Sequence, residues 1–420
     1  MATGPVSLSP DALVQRLRAA LPKHARVYVP GVAAEPYAIA EAFANAPGLA
    51  DGLTFFGVWI PGVNRTDWSG LGETARFETL FLAPELRAGF EAGRVEFLPL
   101  TYTKAWRFLE TTRVDAAILQ VGPPDSEGQC SLSLASDFTP AVWERAKFRV
   151  AQINPALIAL PGAPTIPFSA FDAVTELETV PRGYDAGALP PAFEQIAAHI
   201  AARVEDGAAV QFGLGKVQLA VLPALKHHRD LTIHSGMVSD PLLEILAGDT
   251  VAAIRTGAVL GSPALAAALK DDPRLMMTPV NRTHALSVLT GLAKFTAINS
   301  VIEVDLFGQA NAEFIGGRQI SGGGGLVDFA RGAQGSPGGQ AIFALASTAK
   351  SGSISRIVPR LAPDATTLTR ADVEIVITEH GAADLRGLSL DARAKALIDI
   401  ADPGHRTVLD QAWAEMRRSL

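Results

Sequence analysis

Cysteine is almost absent from the sequence, and its scarcity excludes two kinds of centre. The 420 residues include a single cysteine, Cys130. An internal disulfide requires two thiols and a thiolate zinc site requires several, so the chain can form neither on its own. One unpaired thiol is also typical of a protein from a reducing compartment.

Long hydrophobic runs are missing as well. No stretch of about 18 consecutive apolar residues occurs, so we expect no membrane-spanning helix and no membrane partner. Residues 1–5 lead into a polar helix rather than into an apolar signal core. We therefore expect a cytoplasmic location.

The chain also lacks excess positive charge and several catalytic motifs. It has 36 Lys and Arg against 43 Asp and Glu, a net charge of −7 that argues against general nucleic-acid binding. Its eight histidines show neither His-Glu-x-x-His nor His-x-His spacing, so we predict no metal site. Without a Gly-x-Ser-x-Gly elbow, an α/β-hydrolase nucleophile is unsupported.

What is present is typical of a large folded α/β protein. Hydrophobic residues make up 48% of the chain, and its length favours two domains. Strand-like apolar runs alternate with helical patterns, which predicts parallel or mixed sheets covered on both faces. The predicted strands include 27–29, 95–100, 116–121, 149–153 and 156–160, with a helix at 141–146 between two of them.

An order of helix, strand, glycine turn and helix occurs twice along the chain. Ser9 caps the first helix and Pro10 takes its first position. The later elements are strand 27–29 and helix 36–46 in the first copy, and helix 192–203, strand 208–212 and helix 217–226 in the second. The repetition predicts two related open α/β domains, residues 1–187 and 188–420, with a cleft between them.

The second glycine turn carries Gly213 and Gly215 between a strand and a helix. Glycines allow close backbone approach to a ligand, and the helix N-terminus beyond favours an anion or an oxyanion. A dinucleotide fingerprint would need glycine at Gln218, and a P-loop would need Ser or Thr at Val217, so no nicotinamide or flavin cofactor is predicted. A plain strand-to-helix turn remains the alternative.

Four successive glycines follow Ser321. Ordering them costs about 0.5–1 kcal/mol each relative to alanine, which a folded chain accepts where backbone must contact a ligand. The apolar flanks at 314–315 and 326–327 favour that interpretation over a flexible linker. The surrounding segment 318–360 is basic, which favours a phosphorylated ligand, although ordinary solvated charges are the alternative.

Carboxylates in apolar contexts are a further signal. Glu303 and Asp305 alternate within a strand-like run, and Glu313 and Glu379 lie beside glycine-rich or turn segments. A carboxylate in such a place can have a raised pKa and act as an acid or base. Each can equally be a capping or ion-paired group.

A series of motifs over most of the chain resembles the acetyl-CoA hydrolase/CoA-transferase family, which includes acetate and 4-hydroxybutyrate CoA-transferases. The matching segments are 120–125, 128–132, 213–215, 302–306, 308–313, 315–319, 321–329, 347–349, 357–359, 378–381 and 384–387. The resemblance implies a CoA-transferase fold, an acyl-CoA substrate and CoA bound mainly by the C-terminal half. By this resemblance a homodimer or homo-tetramer is also expected.

The resemblance also implies roles for individual glycines and basic residues. Backbone N–H groups of the glycine loops hold the acyl oxygen in the family, in keeping with oxyanion stabilisation. The residues carried over are Gly213, Gly215, Gly324 and Gly325 for the acyl oxygen, and Arg318, Gly322, Gly323 and Lys350 for CoA.

One position departs from the family pattern. Residues 233–240 match a segment that usually contains a nucleophilic glutamate, and Gly236 stands in its place. A glycine has no side chain with which to attack a thioester. The neighbouring threonine is Ser235, the usual tyrosine near the C-terminus is His380, and Asp240 matches an aspartate of its own.

Three functions follow from this departure. The first is hydrolysis of a CoA ester by activated water, for which the missing side chain at Gly236 is expected to leave room. The bond cut is the thioester or a carbon–carbon bond of a keto-acyl-CoA. The candidate catalytic groups are His234, His380, Glu303 and Glu379. The second is CoA transfer to a small carboxylate such as acetate through another carboxylate. The third is an inactive protein that binds CoA esters.

Overall fold

The computed structural model describes residues 4–420. The expectation of a cytoplasmic location rests partly on residues 1–3, and these lie outside the described residues. No helix within the described range is both long and apolar enough to cross a lipid bilayer.

The described chain contains strands and helices in alternation. The strands are β1 Val6–Ser7, β2 Arg26–Tyr28, β3 Thr54–Gly57, β4 Arg76–Thr79, β5 Val95–Phe97, β6 Ala116–Val121, β7 Gln129–Ser131, β8 Phe148–Ile153, β9 Thr165–Pro167, β10 Ala173–Glu176, β11 Ala209–Phe212, β12 Leu231–Val238, β13 Val251–Val259, β14 Leu275–Met277, β15 Thr296–Ser300, β16 Glu303–Asp305, β17 Ala310–Asn311, β18 Phe314–Ile315, β19 Arg318–Gln319, β20 Gln340–Ala344, β21 Thr348–Ala349, β22 Ile354–Ser355, β23 Ile357–Val358, β24 Ile375–Thr378 and β25 Gly381–Asp384.

The α-helices include several short ones. They are α1 Pro10–Ala20, α2 Tyr37–Ala44, α3 Arg87–Glu91, α4 Tyr102–Thr111, α5 Ala192–Ala201, α6 Lys216–Ala224, α7 Leu243–Leu246, α8 Pro263–Leu269, α9 Val280–Thr283, α10 Leu286–Leu289, α11 Leu326–Gly335, α12 Leu390–Asp399 and α13 Pro403–Arg417. The first begins as the sequence predicts, because the Ser9 hydroxyl accepts a hydrogen bond from the Ala12 N–H at 3.3 Å and Pro10 opens the helix.

Two eight-stranded sheets organise the chain, which confirms the predicted α/β class. The first has the order β1-β10-β8-β6-β2-β3-β4-β5, and all its neighbouring strands are parallel. The second has the order β14-β13-β12-β11-β15-β20-β24-β25, and its last pair, β24 and β25, is antiparallel.

Both sheets are wound in the same way. Each starts from a central strand, β2 or β11, and adds the next three strands of the chain on one side. The chain then returns to the other side of that central strand with β6 or β15. This reversal makes a topological switch point beside the central strand, where open α/β sheets commonly bind ligands. The repeated order of helix, strand, turn and helix is therefore present in the fold.

The chain forms two compact units. Unit 1 comprises the residues up to Tyr184 together with 237–240 and 255–283, and unit 2 comprises 185–236, 241–254 and 284–420. The predicted boundary at 187/188 lies close to the first change of unit, and a single cut there does not describe the two segments that return to unit 1.

Two local predictions were wrong. Residues 156–160 form no strand, because the Asn154 side chain accepts the Ala156 N–H at 3.0 Å and turns the backbone directly after β8. Residues 141–146 form no α-helix. They lie in two 3₁₀ turns, Thr139–Ala141 and Trp143–Arg145, closed by bonds between residues three apart.

Candidate active site

The glycine turn of the second sheet lies at its switch point, at the carboxyl ends of β11 and β15. The Gly213 N–H donates to the Ile298 carbonyl at 3.1 Å, which extends the sheet by one residue. Gly215 has a φ of 125° and caps α6 without any side-chain hydrogen bond. That backbone conformation favours glycine, so the turn requires a residue without a side chain at position 215.

A pair of buried amides supports this turn from below. The Gln211 Nε2 donates to Asn299 Oδ1 at 3.3 Å, and the Asn299 Nδ2 donates to Gln211 Oε1 at 3.0 Å. Both residues are almost fully buried, at 2% and 6% exposure. The Asn299 Oδ1 also lies 3.5 Å from the point where a Cβ at Gly213 would stand. The ends of β11 and β15 are thereby fixed against each other.

Gly236 lies on the adjacent strand, β12. The hydroxyl of its neighbour, Ser235, donates to the Phe212 carbonyl at 2.9 Å and ties β12 to the start of the glycine turn. A threonine has the same hydroxyl, so the serine at this position preserves the tie. Gly236 is therefore held beside the turn.

The imidazole of His284 occupies the space next to Gly236. A Cβ at residue 236 would lie 3.0 Å from His284 Cε1 and 3.3 Å from its Nε2. These separations are shorter than most contacts of a real Cβ, so any side chain there would have to displace the imidazole. The missing side chain leaves no opening at this point, contrary to the expectation that water would have room beside a glycine.

A second glycine, Gly325, contacts the same imidazole from the start of α11. A Cβ at Gly325 would overlap His284 Nε2 and would lie 3.2 Å from Phe329 Cε2. The ring centroids of His284 and Phe329 are 4.3 Å apart. The imidazole therefore needs both glycines, one on β12 and one at the N-terminus of α11.

Burial keeps this imidazole uncharged. His284 is 2% exposed, and burial, aided by the nearby His234, lowers its pKa to about 3. His234 is itself 3% exposed and meets Phe295 edge to face, with ring centroids 6.2 Å apart. At neutral pH His284 is consequently a neutral imidazole that can donate from one ring nitrogen and accept at the other.

The four-glycine loop is held by a carboxylate. Glu313 accepts the backbone N–H of Gly323 and the hydroxyl of Thr367, the latter at 2.9 Å. Burial raises the pKa of Glu313, while both hydrogen bonds act in the opposite direction. Gly324 has a φ of 52°, in the left-handed region that suits glycine. This backbone is anchored just before α11 begins.

The other predicted catalytic groups make contacts of their own. Glu303 accepts from the Asn311 side-chain amide at 3.1 Å. Glu379 accepts both the N–H and the hydroxyl of Ser347, each at 2.8 Å. His380 Nε2 lies 3.8 Å from a carboxylate oxygen of Asp402. Through its two hydrogen bonds Glu379 fixes the backbone at Ser347. The catalytic roles of the three groups stay predictions.

The two basic residues predicted to contact CoA are exposed. Arg318 opens β19 directly after a tight turn at Gly316 and Gly317, whose φ values are 58° and 73°. Lys350 lies in the turn between β21 and β22, with a φ of 47°. Gly322, also predicted for CoA, is buried. The geometry leaves their predicted roles open to test.

His284 is the residue that sequence reasoning missed. It follows α9 in the segment Asn281-Arg282-Thr283-His284, which has no recognised catalytic spacing. The available signal was indirect: Gly236 and Gly325 both lack side chains, so a third group could lie between them. Only the fold identifies that group.

Comparisons with known proteins agree with this architecture. The family model for the acetyl-CoA hydrolase/transferase C-terminal domain matches residues 261–413. A 4-hydroxybutyrate coenzyme A transferase of Clostridium kluyveri is 32% identical, with 92% of this chain and 93% of that protein covered. A succinyl-CoA:cyclohexane-1-carboxylate CoA transferase of Geobacter metallireducens is 35% identical over 79% of this chain and 78% of its own length.

A solved structure shares the whole fold. RipA from Yersinia pestis superposes with a TM-score of 0.90 at 27% identity, covering 98% of both chains. The likeness thus extends over the two sheets and is not confined to the region that the family model matches. With identity above 30% to a transferase across nearly its full length, the chain belongs to the acetyl-CoA hydrolase/transferase family.

Proposed function

We propose that the protein hydrolyses a CoA ester with water as the attacking group. One observation carries the proposal: Gly236 offers no carboxylate, and the neutral imidazole of His284 lies in the adjoining space. A family member without its expected nucleophile can still bind and polarise a thioester through its backbone loops.

Transfer through residue 236 would require a side-chain carboxylate. In that route the carboxylate attacks the acyl carbon, and the CoA thiolate then attacks the mixed anhydride to form a glutamyl thioester. Gly236 can take neither step, and His284 lies too close for a longer side chain to fit without moving.

In hydrolysis the oxygen of water attacks the thioester carbon and one of its protons leaves to a base. The tetrahedral oxyanion then collapses, the carbon–sulfur bond breaks, and the CoA thiolate takes up a proton. The N-termini of α6 and α11 begin at Gly215 and Gly325 without side-chain caps, so they can stabilise that oxyanion. Gly213 is a weaker donor candidate than predicted because its N–H is already bonded to Ile298.

A second candidate is CoA transfer to a small carboxylate. Its support is that both relatives named above are called CoA transferases. This route needs a carboxylate other than residue 236. Glu313 is a buried acid with a raised pKa, but its carboxylate already accepts hydrogen bonds from Gly323 and Thr367. The geometry therefore favours hydrolysis over transfer.

A panel of acyl-CoAs, including a β-keto-acyl-CoA, separates these functions. Each is incubated with the protein with and without acetate, and free CoA and acyl-CoAs are followed by mass spectrometry. The proposal predicts CoA release without acetate. Exchange that requires acetate would instead establish transfer, and binding without turnover would establish an inactive binding protein.

A variant tests the assignment of the vacated position. Gly236→Glu alone introduces a carboxylate against His284, and Gly236→Glu/His284→Ala makes room for it. We expect acetate-dependent exchange in the double variant and little in the single one. Exchange in neither, with normal folding, would contradict the assignment of residue 236 to the nucleophile position.

A further inference from the structure

We propose that Glu313 is a positioning residue, whose carboxylate acts with the Thr367 hydroxyl to set the place of the four-glycine loop and of the α11 N-terminus that follows it. The inference rests on the proposed function, because that function uses this N-terminus to stabilise the oxyanion. In this role Glu313 acts through the loop backbone and not on a reacting atom. The sequence left its role open between an acid or base and a capping group.

The composition of the loop is the first argument. Residues 322–325 are all glycine, so they have no side chains that could pack against the rest of unit 2. Glycine also loses more backbone freedom on ordering than any other residue. The place of the loop therefore depends on contacts that groups outside it make to its backbone.

The contacts at Gly323 are the second argument. Glu313 accepts the Gly323 N–H, and a Cβ at residue 323 would lie 3.9 Å from Glu313 Oε2 and 3.7 Å from Thr367 Cγ2. Glu313 Oε2 accepts the Thr367 hydroxyl at 2.9 Å, and Oε1 accepts the Gln319 side-chain amide at 3.3 Å. The same Gln319 amide donates to the Ser321 carbonyl at 3.0 Å. One carboxylate thereby joins the start of the loop to its middle.

The rigidity of the two anchoring residues is the third argument. The Thr367 hydroxyl also accepts the Ala312 N–H at 3.0 Å. The Glu313 N–H donates to Asn311 Oδ1 at 3.0 Å, and the Glu313 carbonyl accepts the Ile320 N–H at 2.8 Å. Because their backbones are fixed in this way, both side chains can hold the loop in a defined place.

The number of donors explains why a carboxylate is present. Three groups, from Gly323, Thr367 and Gln319, donate to two carboxylate oxygens, which have enough lone pairs to accept from all of them. Along the described chain, no cation is among the groups that lower the pKa of Glu313, so an ion pair does not account for this acid. A glutamine has one acceptor oxygen with two lone pairs and cannot serve all three donors.

Two substitutions at Thr367 separate positioning from packing. Thr367→Val removes the hydroxyl and keeps the methyl group near Gly323, whereas Thr367→Ser keeps the hydroxyl and removes the methyl group. Glu313→Gln tests the carboxylate itself. The matched control is Glu374→Gln, because Glu374 also accepts a backbone N–H in unit 2, that of Ala341 at 3.0 Å. Circular dichroism checks the folding of each variant before turnover is measured.

Turnover gives the first readout. We expect kcat for CoA-ester hydrolysis to fall by about 10²-fold in Glu313→Gln, the effect of a small misplacement of groups at a site. Thr367→Val should lose about tenfold and Thr367→Ser less than about twofold, because only the valine variant loses a hydrogen bond to a charged group. Glu374→Gln should keep the wild-type kcat. Loss of turnover in Thr367→Ser but not in Thr367→Val would assign the loop's place to packing and overturn the inference.

Amide hydrogen exchange gives a readout that does not depend on turnover. Mass spectrometry follows the peptide that spans the four glycines and the first turn of α11 in the free protein. We expect faster exchange of this peptide in Glu313→Gln and Thr367→Val than in the wild type. Thr367→Ser and Glu374→Gln should exchange at the wild-type rate. If Glu313→Gln does not fold, the two Thr367 variants decide the result.

The outcomes separate the inference from the proposed function. If the wild type catalyses transfer, the proposed function fails, and the inference stands when transfer and exchange show the same order of variants. Equal exchange of the loop in the wild type and Glu313→Gln overturns the inference alone, as does equal loss of turnover in Glu313→Gln and Glu374→Gln. A wild type that turns over no CoA ester overturns both.

Discussion

The switch points of the two sheets have the same topology but are occupied by different kinds of residue. In the first sheet the place beside β2 is filled by Glu35, which is fully buried. Its carboxylate accepts from Asn64 at 3.1 Å, from Arg182 at 3.3 Å and from the Thr66 hydroxyl. In the second sheet the corresponding place has glycines and a neutral imidazole. One site is closed by paired charge, and the other is lined by backbone donors.

The closed site around Glu35 has the partners that a buried carboxylate requires. A buried carboxylate is tolerated only when it is paired and hydrogen-bonded, and Glu35 has both kinds of partner. Arg182 also lies over the Tyr37 ring, with its guanidinium carbon 4.3 Å from the ring centroid. The same fold position therefore holds a paired carboxylate in one sheet, and glycines with a buried imidazole in the other.

Breaking the closed site should have the largest effect on stability. Glu35→Ala leaves buried donors of Asn64 and Thr66 without their acceptor, and Arg182 is 29% exposed and can partly hydrate. We expect a loss of about 3 kcal/mol, the lower end for a broken buried pair. Urea unfolding can be followed by tryptophan fluorescence, since four of the five tryptophans, at 59, 68, 106 and 143, belong to unit 1.

The matched control is an exposed pair in the same sheet. Arg76 and Glu96 lie 3.1 Å apart with both side chains more than half exposed. Glu96→Ala should cost less than about 1 kcal/mol. Equal losses for Glu35→Ala and Glu96→Ala would show that the buried network does not stabilise unit 1 as described.

A second buried carboxyl group sharpens the contrast, because within residues 4–420 no cation is among the groups that lower the pKa of Asp137. Burial raises its pKa from 3.8 to about 6, and only backbone N–H groups act against this. Because the folded pKa lies above the unfolded one, the contribution is present below about pH 4 and is lost as pH rises to about 6.

We therefore expect Asp137→Asn to match the wild type near pH 4 and to exceed its stability at pH 7.5. The gain should be on the order of 2–3 kcal/mol, from a shift of about two pKa units. Thermal or urea unfolding of both proteins across pH 4–8 measures the difference directly. A constant difference over this range would mean that Asp137 does not titrate there.

Replacing one glycine by alanine at each switch point compares a backbone neighbour, which is rigid, with a side-chain neighbour, which can move. An alanine at Gly31 would overlap the Val58 backbone carbonyl, which cannot move without disturbing the sheet. At Gly236 the neighbour is the His284 ring. We expect Gly31→Ala to cost about 1–3 kcal/mol in unfolding free energy. We expect Gly236→Ala to cost less and to lower kcat about tenfold by displacing the ring.

A double-mutant cycle tests the cause of the second effect. Gly325→Ala should impair folding or activity in the wild type because its methyl group overlaps His284 Nε2. In a His284→Ala background that penalty should largely disappear. If Gly325→Ala costs the same in both backgrounds, the imidazole is not the group that requires glycine.

The smallest effect is expected at Lys350, a basic residue predicted to contact CoA. Lys350 is exposed, so its replacement by alanine should leave stability unchanged and raise KM about two- to fivefold through one lost phosphate contact. Lys395→Ala is the control, because that lysine is 77% exposed and pairs with Asp399 on α12. The same change in KM for both variants would contradict a CoA contact at Lys350.

The sequence predicts what local patterns encode. The Ser9 helix cap, the repeated order of elements and the glycine turn before α6 follow from neighbouring residues, and the structure contains all of them. The strand predicted at 156–160 shows the limit of such prediction. The apolar residues there do not reveal that the Asn154 side chain turns the backbone.

Long-range placement is what local patterns do not encode. His284 lies 48 residues from Gly236 and 41 residues from Gly325, so their contact depends on how β12 and α11 pack around this histidine. For Glu379 the sequence left open an acid or base and a capping group, and in the fold its carboxylate accepts hydrogen bonds from Ser347. The family resemblance predicted the ligand class, and the residues that lie together at the candidate site could be found only from the tertiary structure.

The source of the oxygen in the product tests the central claim most directly. The protein is incubated with an acyl-CoA in H₂¹⁸O without acetate, and the released acid and the intact protein are weighed by mass spectrometry during turnover. Hydrolysis without an enzyme carboxylate predicts one ¹⁸O atom in each acid molecule, from the first turnover, and no mass added to the protein. A carboxylate loaded with acyl or CoA during turnover would contradict the account.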